Sequence, residues 1–279
     1  MDRSLVPRPG DEVGRRRRRP VEDAVDRLVE RAYLPVAKHD LAGTDDGVDL
    51  EPLGGVDERE HRVRTGGQMR VVQIDDGWQA GKKTNGPRKV FIRHRKNGPY
   101  PDGMKPTADY IKGHGLTPGL WFMPFAGNHQ DDFFKEGWFV KTPDGDPFVT
   151  NWGGTSLDLT HPEVRDYIRR VVERITGEWG YGYVKMDGLY TGTALEQVYV
   201  NNEYTEDRLG EAVLHNPEKT QMEAYRDGLE LVKKAAAEGT FLLGCSVTQN
   251  MRSFGGAFGL VEAMRIGPAS TGTFGGGGY

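Results

Sequence analysis

An α/β fold made of parallel β-α-β units, of the size and kind of an α/β barrel, is predicted by three observations. From Arg70 onward, short apolar strands alternate with helical segments. The chain has 279 residues, and one such barrel needs roughly 250. Polar side chains also collect at or just past the ends of these strands, where the loops of a parallel sheet converge on one face.

The elements follow in order. Val21, Ala24, Val25, Leu28, Val29 and Ala32 recur with the spacing of an amphipathic helix, placed after the basic run Arg15 to Arg19. Between Pro35 and Met69 there is almost no periodicity, so no regular structure is expected there. Strand Arg70–Ile74 opens the repeating part, followed by a polar loop, a short helix around Thr107–Gly113 and strand Leu116–Met123. Thr160, with Glu163 three residues on, reads as a capping box. It opens a helix whose apolar face is Val164, Ile168, Val171, Val172, Ile175 and Trp179, ended by Gly180 and Gly182. Strand Tyr183–Met186 is followed by a long loop and a helix from about Glu218 to Glu238, with Met222, Tyr225, Leu229 and Val232 on one face and Gly239 as its stop. Strands Phe241–Gly244 and Leu260–Ile266 complete a set of five. The resulting division is a basic arm, helix and irregular segment over 1–69, the α/β domain over 70–270, and a glycine-rich tail over 271–279.

Composition narrows the function. Hydrophobic residues make up 36% and charged residues 28%, an ordinary balance for a soluble protein, while 39 glycines imply many turns. The apolar runs are short of a bilayer span and the start is charged rather than signal-like, so no membrane association and a cytoplasmic product are expected. The lone cysteine, Cys245, excludes an internal disulfide framework. A net charge of −4 gives no general attraction to nucleic acid. Arg15–Arg19 reads either as a solvated arm or as a phosphate-binding stretch. The 7 histidines show no metal-ligand spacing, so no metal site is expected.

The candidate site consists of Asp75, Asp76, Trp78, Trp121, Lys185, Asp187, Cys245 and Arg265, each at or just past a strand end. Adjacent carboxylates bind vicinal hydroxyls and an indole face stacks on the apolar face of a pyranose, so the set points to carbohydrate, although Asp75–Asp76–Gly77 alone also fits an ordinary turn. Lys185 and Asp187, two apart on a strand, point the same way, so the cation can hold the carboxylate ionised for attack on an anomeric carbon; a buried structural ion pair is the alternative. Arg265 fits a clamp for a hydroxyl or carboxylate, or a salt bridge closing a barrel face. Cys245 has no nearby histidine and reads as a pocket-wall residue rather than a nucleophile.

At these residues the chain resembles the α-galactosidases of glycoside hydrolase clan D, most closely the melibiase type of family 36. The resemblance runs over about residues 70 to 270. It rests on Val72–Trp78, Gly115–Phe122, Leu157–Glu163, Tyr183–Asp187 and Ala263–Pro268, which follow the family's order. It implies a (β/α)₈ TIM barrel, retaining hydrolysis of terminal α-linked galactose from oligosaccharides, and no cofactor. Asp187 matches the nucleophile. Asp75 and Asp76 match carboxylates that hold galactose hydroxyls. Trp121, Lys185, Cys245 and Arg265 match lining residues of the sugar subsite, and Trp78 stands beside them as a substrate-binding candidate from its place past a strand end.

Two departures qualify the resemblance. The family's acid/base aspartate follows the arginine by four residues, where this chain has Ala269. Alanine can neither give nor take a proton, and that help is typically worth about 10²–10⁴-fold, so natural substrates should turn over slowly. Glu262, within its strand, is not expected to substitute. By the family's order, the recognisable strands are the second to the sixth. An incomplete barrel exposes sheet edges, which predicts marginal stability or association of copies. The alternatives are a sugar-binding relative without turnover, a transglycosylase of the raffinose-synthase kind, and a nucleic-acid-associated protein acting through Arg15–Arg19.

Overall fold

The computed structural model describes residue 26 and residues 71–150, 152–196, 208–245 and 255–265. The chain divides into two units, Met1–Val36 and Ala37–Tyr279, and the fold described here is that of the second. The basic run, most of the first amphipathic segment, Ala269 and the glycine-rich tail lie outside the described residues.

Five strands form one parallel sheet: β1 (Val71–Ile74), β2 (Thr117–Phe122), β3 (Tyr183–Met186), β4 (Phe241–Cys245) and β5 (Ala263–Arg265), in that spatial order. Neighbours in the sheet are thus neighbours in sequence order, which is how a barrel wall is built. The register aligns Ile74 with Leu120, Trp121 with Lys185, Leu243 with Lys185, and Cys245 with Arg265. No further strand joins β1 or β5 among the described residues, so the wall is an incomplete barrel.

Alternation along the strands sorts the two faces. Phe122, Val184 and Leu242 meet Val172, Ile175 and Val232 of the helical layer. Trp121, Tyr183, Lys185, Leu243 and Cys245 take the opposite phase, and Tyr183 stacks on Phe241 with ring centroids 5.6 Å apart. That face carries the candidate site.

The helices are α1 (Met104–Gly113), α2 (Pro162–Glu173) and α3 (Gln221–Ala235). Val164, Ile168, Val171 and Val172 of α2 are at most 2% exposed, as is Ile175 in the π-helical turn Arg174–Glu178 that extends it. Each such burial contributes about 1.5–3 kcal/mol, so this stripe dominates the attachment of α2 to the sheet. Trimming Ile175 to alanine should cost about 2–5 kcal/mol.

The capping box expected from Thr160 and Glu163 is not formed. Thr160 does not cap α2, because its hydroxyl and amide are turned onto Asp158 Oδ1 at 2.6 and 2.9 Å. His161 is the N-cap, accepting from Glu163 N at 3.2 Å in the extended backbone that Pro162 imposes on the residue before it. The Glu163 carboxylate is instead held by Lys135 at 2.6 Å and Trp138 Nε1 at 2.7 Å. A full capping box stands on α3, between Thr220 and Glu223. Four short antiparallel pairings in three small sheets went unread: Gln79–Ala80 with Val90–His94, Gly154–Ser156 with both Ala126–Gly127 and Val149–Thr150, and Leu195–Glu196 with Arg208–Leu209. Most of these strands have only two or three residues, which carry too little periodicity to be seen in sequence.

Candidate active site

Asp187 is the first residue past β3, and its amide continues the ladder by donating to Phe122 O at 2.9 Å. Gly188 follows in the left-handed region, at φ 58°, which turns its N–H back onto Asp187 Oδ1 at 2.8 Å. The indole Nε1 of Trp121, at the end of β2, donates to Asp187 Oδ2 at 3.0 Å. Arg265, at the end of β5, brings Nη2 to 3.9 Å from Asp187 Oδ1. The carboxylate is fixed from three elements, yet its side chain keeps 15% exposure.

Asp75 is the first residue past β1, which lies on the other side of β2 from β3. Lys185 Nζ donates to Asp75 Oδ2 at 2.7 Å, with side chains only 4% and 11% exposed. Gln73 Nε2 shares that oxygen at 2.9 Å, and the Asp76 amide takes Oδ1 at 2.9 Å. The cation therefore serves Asp75 rather than Asp187. Side chains at 185 and 187 do share a face, but the strand at the far side of β2 delivers a carboxylate closer to Lys185.

Asp76 accepts from the Gln79 side-chain amide, which also donates to Arg88 O at 2.9 Å. Burial pushes the Asp76 carboxyl above the usual carboxylate range against the pull of Gln79, and the charge of Asp75 adds to the rise. Nearby, Lys89 is 1% exposed with Nζ on the carbonyls of Asn85 and Pro87. Burial lowers its ammonium to about 8, partly offset by Asp76.

Cys245 ends β4 fully buried, and burial, reinforced by the Asp187 charge, pushes its thiol up to about 12. A thiol held protonated there is a wall residue and not a nucleophile. Trp78 and Trp121 are both 1% exposed, but only Trp121 reaches a carboxylate: Trp78 donates Nε1 to Trp121 O at 2.8 Å and meets Trp179 edge-on at 5.7 Å. The apolar indole is better buried against other rings than at a wet strand end, and it supports Trp121 from behind. Glu262 is occupied away from the strand ends, accepting from Leu242 N at 2.7 Å near the start of β4.

The rim thus brings together Asp75, Asp187, Lys185, Trp121, Cys245 and Arg265, with Asp76 next to Asp75 on the same loop. Gln73 is a member that sequence reasoning missed; its two-residue offset from Asp75 was the available signal. Several buried polar atoms here, Gln73 Oε1, Tyr183 OH, and Arg265 Nε and Nη1, have no hydrogen-bond partner among the described residues. Groups of this kind suit a polar ligand. No cluster of three His, Cys, Asp or Glu able to hold a metal occurs among the described residues, and no helix among them is long and apolar enough to cross a membrane.

The family model described as Melibiase matches residues 60–213. An alpha-galactosidase of Escherichia coli is 32% identical over 120 residues, covering 41% of this chain and 16% of its own length. Alpha-galactosidase Mel36A of Lactobacillus acidophilus is 28% identical over 150 residues, covering 52% of this chain and 19% of its own. The chain therefore spans less than a fifth of the curated relatives it matches. Among solved structures, the Thermus thermophilus alpha-galactosidase TtGalA in complex with stachyose is 28% identical with a TM-score of 0.50, covering 71% of this chain and 36% of that one.

Proposed function

The chain belongs to the melibiase family, and on that premise we propose that it acts on α-galactosides as a retaining glycoside hydrolase with Asp187 as the nucleophile. The observation that supports this best is the Asp187 carboxylate itself, oriented by the Gly188 amide, Trp121 Nε1 and Arg265 at a strand end and still open to solvent. A carboxylate so held has one productive direction of attack, which is what an anomeric carbon requires. The Asp75–Lys185 pair and Asp76 supply acceptors and a donor for the hydroxyls of the galactosyl ring.

In the first step an Asp187 oxygen bonds to the anomeric carbon and the glycosidic oxygen leaves. In the second, water cleaves the ester and releases galactose. Both steps need a proton carrier that Ala269 does not provide. The first step then depends on a leaving group that departs without a proton, and the ester accumulates. This chemistry is assigned to residues 70–270, with 1–69 and 271–279 outside it. Ala269 also favours a second reading, a galactoside-binding relative without turnover on natural oligosaccharides.

Stopped-flow release of the phenol from a nitrophenyl α-galactoside tests the proposal. A burst near one equivalent of phenol followed by a slow phase is expected, absent for the β anomer and for Asp187→Asn. Absence of any burst with this activated substrate overturns it.

A further inference from the structure

Among the described residues, two other than glycine adopt positive φ: Ala194, which is buried, and Trp152, at φ 55°. A bulky residue in that region is an outlier, and such strain gathers at ligand clamps and active sites. Trp152 is also 36% exposed, so its strain is not the by-product of filling a core. Lone exposed apolar side chains such as Val149, Val213 and Phe258 are ordinary; an exposed indole on a constrained backbone is not.

Its position gives the constraint a purpose. Trp152 sits between the strand segments Val149–Thr150 and Gly154–Ser156. Its ring edge reaches the residue after Asp187, since a methyl built on Gly188 would lie 3.6 Å from Trp152 Cζ3. The loop that follows Asp75 and Asp76 holds it from the other side. Asn85 Nδ2 donates to Thr150 O at 2.7 Å, and the Lys89 side chain occupies the space that a side chain at Gly154 would need. Gly86 lies so near the Trp152 carbonyl that a methyl there would collide with it, while Cδ1 would stand 3.3 Å away. The indole is therefore anchored to the Asp75–Asp76 loop and reaches the turn of Asp187.

We infer that Trp152 is a sugar-binding residue of this site, an aromatic wall on which the apolar C–H face of a pyranose stacks beside Asp187. The inference rests on the galactoside reading above and adds a contact that neither the strand-end pattern nor the ordered motifs pointed to. Stacking needs the ring face and not the indole N–H, so phenylalanine should largely replace tryptophan and alanine should not.

The test is calorimetric titration of the full chain with methyl α-galactoside, comparing wild type, Trp152→Phe and Trp152→Ala, with thermal unfolding of each. Trp152→Ala is expected to weaken binding roughly tenfold or more, and Trp152→Phe by no more than about threefold, with unchanged unfolding midpoints. Wild-type affinity in Trp152→Ala, or Trp152→Phe as weak as Trp152→Ala, overturns the inference and leaves the Asp187 reading intact. A wild type that binds no galactoside removes both.

Discussion

Replacing Lys185 by methionine separates two descriptions of this site, because the pattern along β3 pairs the lysine with Asp187 while the geometry pairs it with Asp75. The ammonium lies 2.7 Å from Asp75 Oδ2, with the two side chains 4% and 11% exposed. At an effective dielectric constant near 20, charges at that separation attract by roughly 6 kcal/mol, most of it offset by desolvation of both ions. Removing one partner leaves the other buried with its desolvation uncompensated, which costs about 3–5 kcal/mol. Asp75 keeps the Gln73 amide and the Asp76 N–H, so the low end is expected for Lys185→Met. In a double-mutant cycle by urea unfolding, followed by tryptophan fluorescence, Lys185→Met and Asp75→Asn should couple by about 1.5 kcal/mol or more. Lys185→Met with Asp187→Asn should be additive within about 0.5 kcal/mol. Additivity of the first pair with coupling of the second would refute the assignment.

Further outcomes follow from the same geometry. Lys89, with its ammonium lowered to about 8, bears its burial cost in full below that pH. As pH rises from 8 toward the ordinary lysine value the folded state loses the proton first, so this residue's contribution to stability increases, by about 2–3 kcal/mol by pH 10. The stability of wild type relative to Lys89→Met should rise by that amount between pH 7 and pH 10, and a pH-independent difference would count against a buried ammonium. Thr220→Ala, which removes the α3 cap, should cost about 1 kcal/mol by urea unfolding, whereas His161→Ala, and not a change that keeps the Thr160 hydroxyl on Asp158, should loosen the start of α2. Ala269→Asp should raise turnover of an unactivated α-galactoside by about 10²–10⁴-fold, measured as galactose release; unchanged turnover would place the defect elsewhere.

The sheet was legible because each strand is a compact apolar run closed by a polar residue, and the helix faces because Val164 to Ile175 and Tyr225 to Val232 keep the helical period. Strand-end position also identified Asp75, Trp121, Asp187 and Arg265. What sequence could not supply was pairing across strands. Lys185 finds Asp75 from 110 residues away, and spacing along one strand pointed to the wrong carboxylate. Trp78 looked equivalent to Trp121 because both lie at or just past strand ends, and both are buried, yet Trp121 Nε1 reaches Asp187 while Trp78 Nε1 is spent on the Trp121 carbonyl. Trp152 was invisible for a different reason: its placement depends on contacts from Gly86 and Gly188, which no local periodicity encodes.

The central proposal is that Asp187 attacks an anomeric carbon, and intact-mass spectrometry tests it most directly. The purified chain and Asp187→Asn are each mixed with a nitrophenyl α-galactoside, quenched in acid and weighed. A mass increase of one galactosyl residue on the wild type, localised to the peptide containing Asp187 and missing from Asp187→Asn, is the expected result. Equal masses with and without substrate, or an adduct that survives in Asp187→Asn, would contradict it.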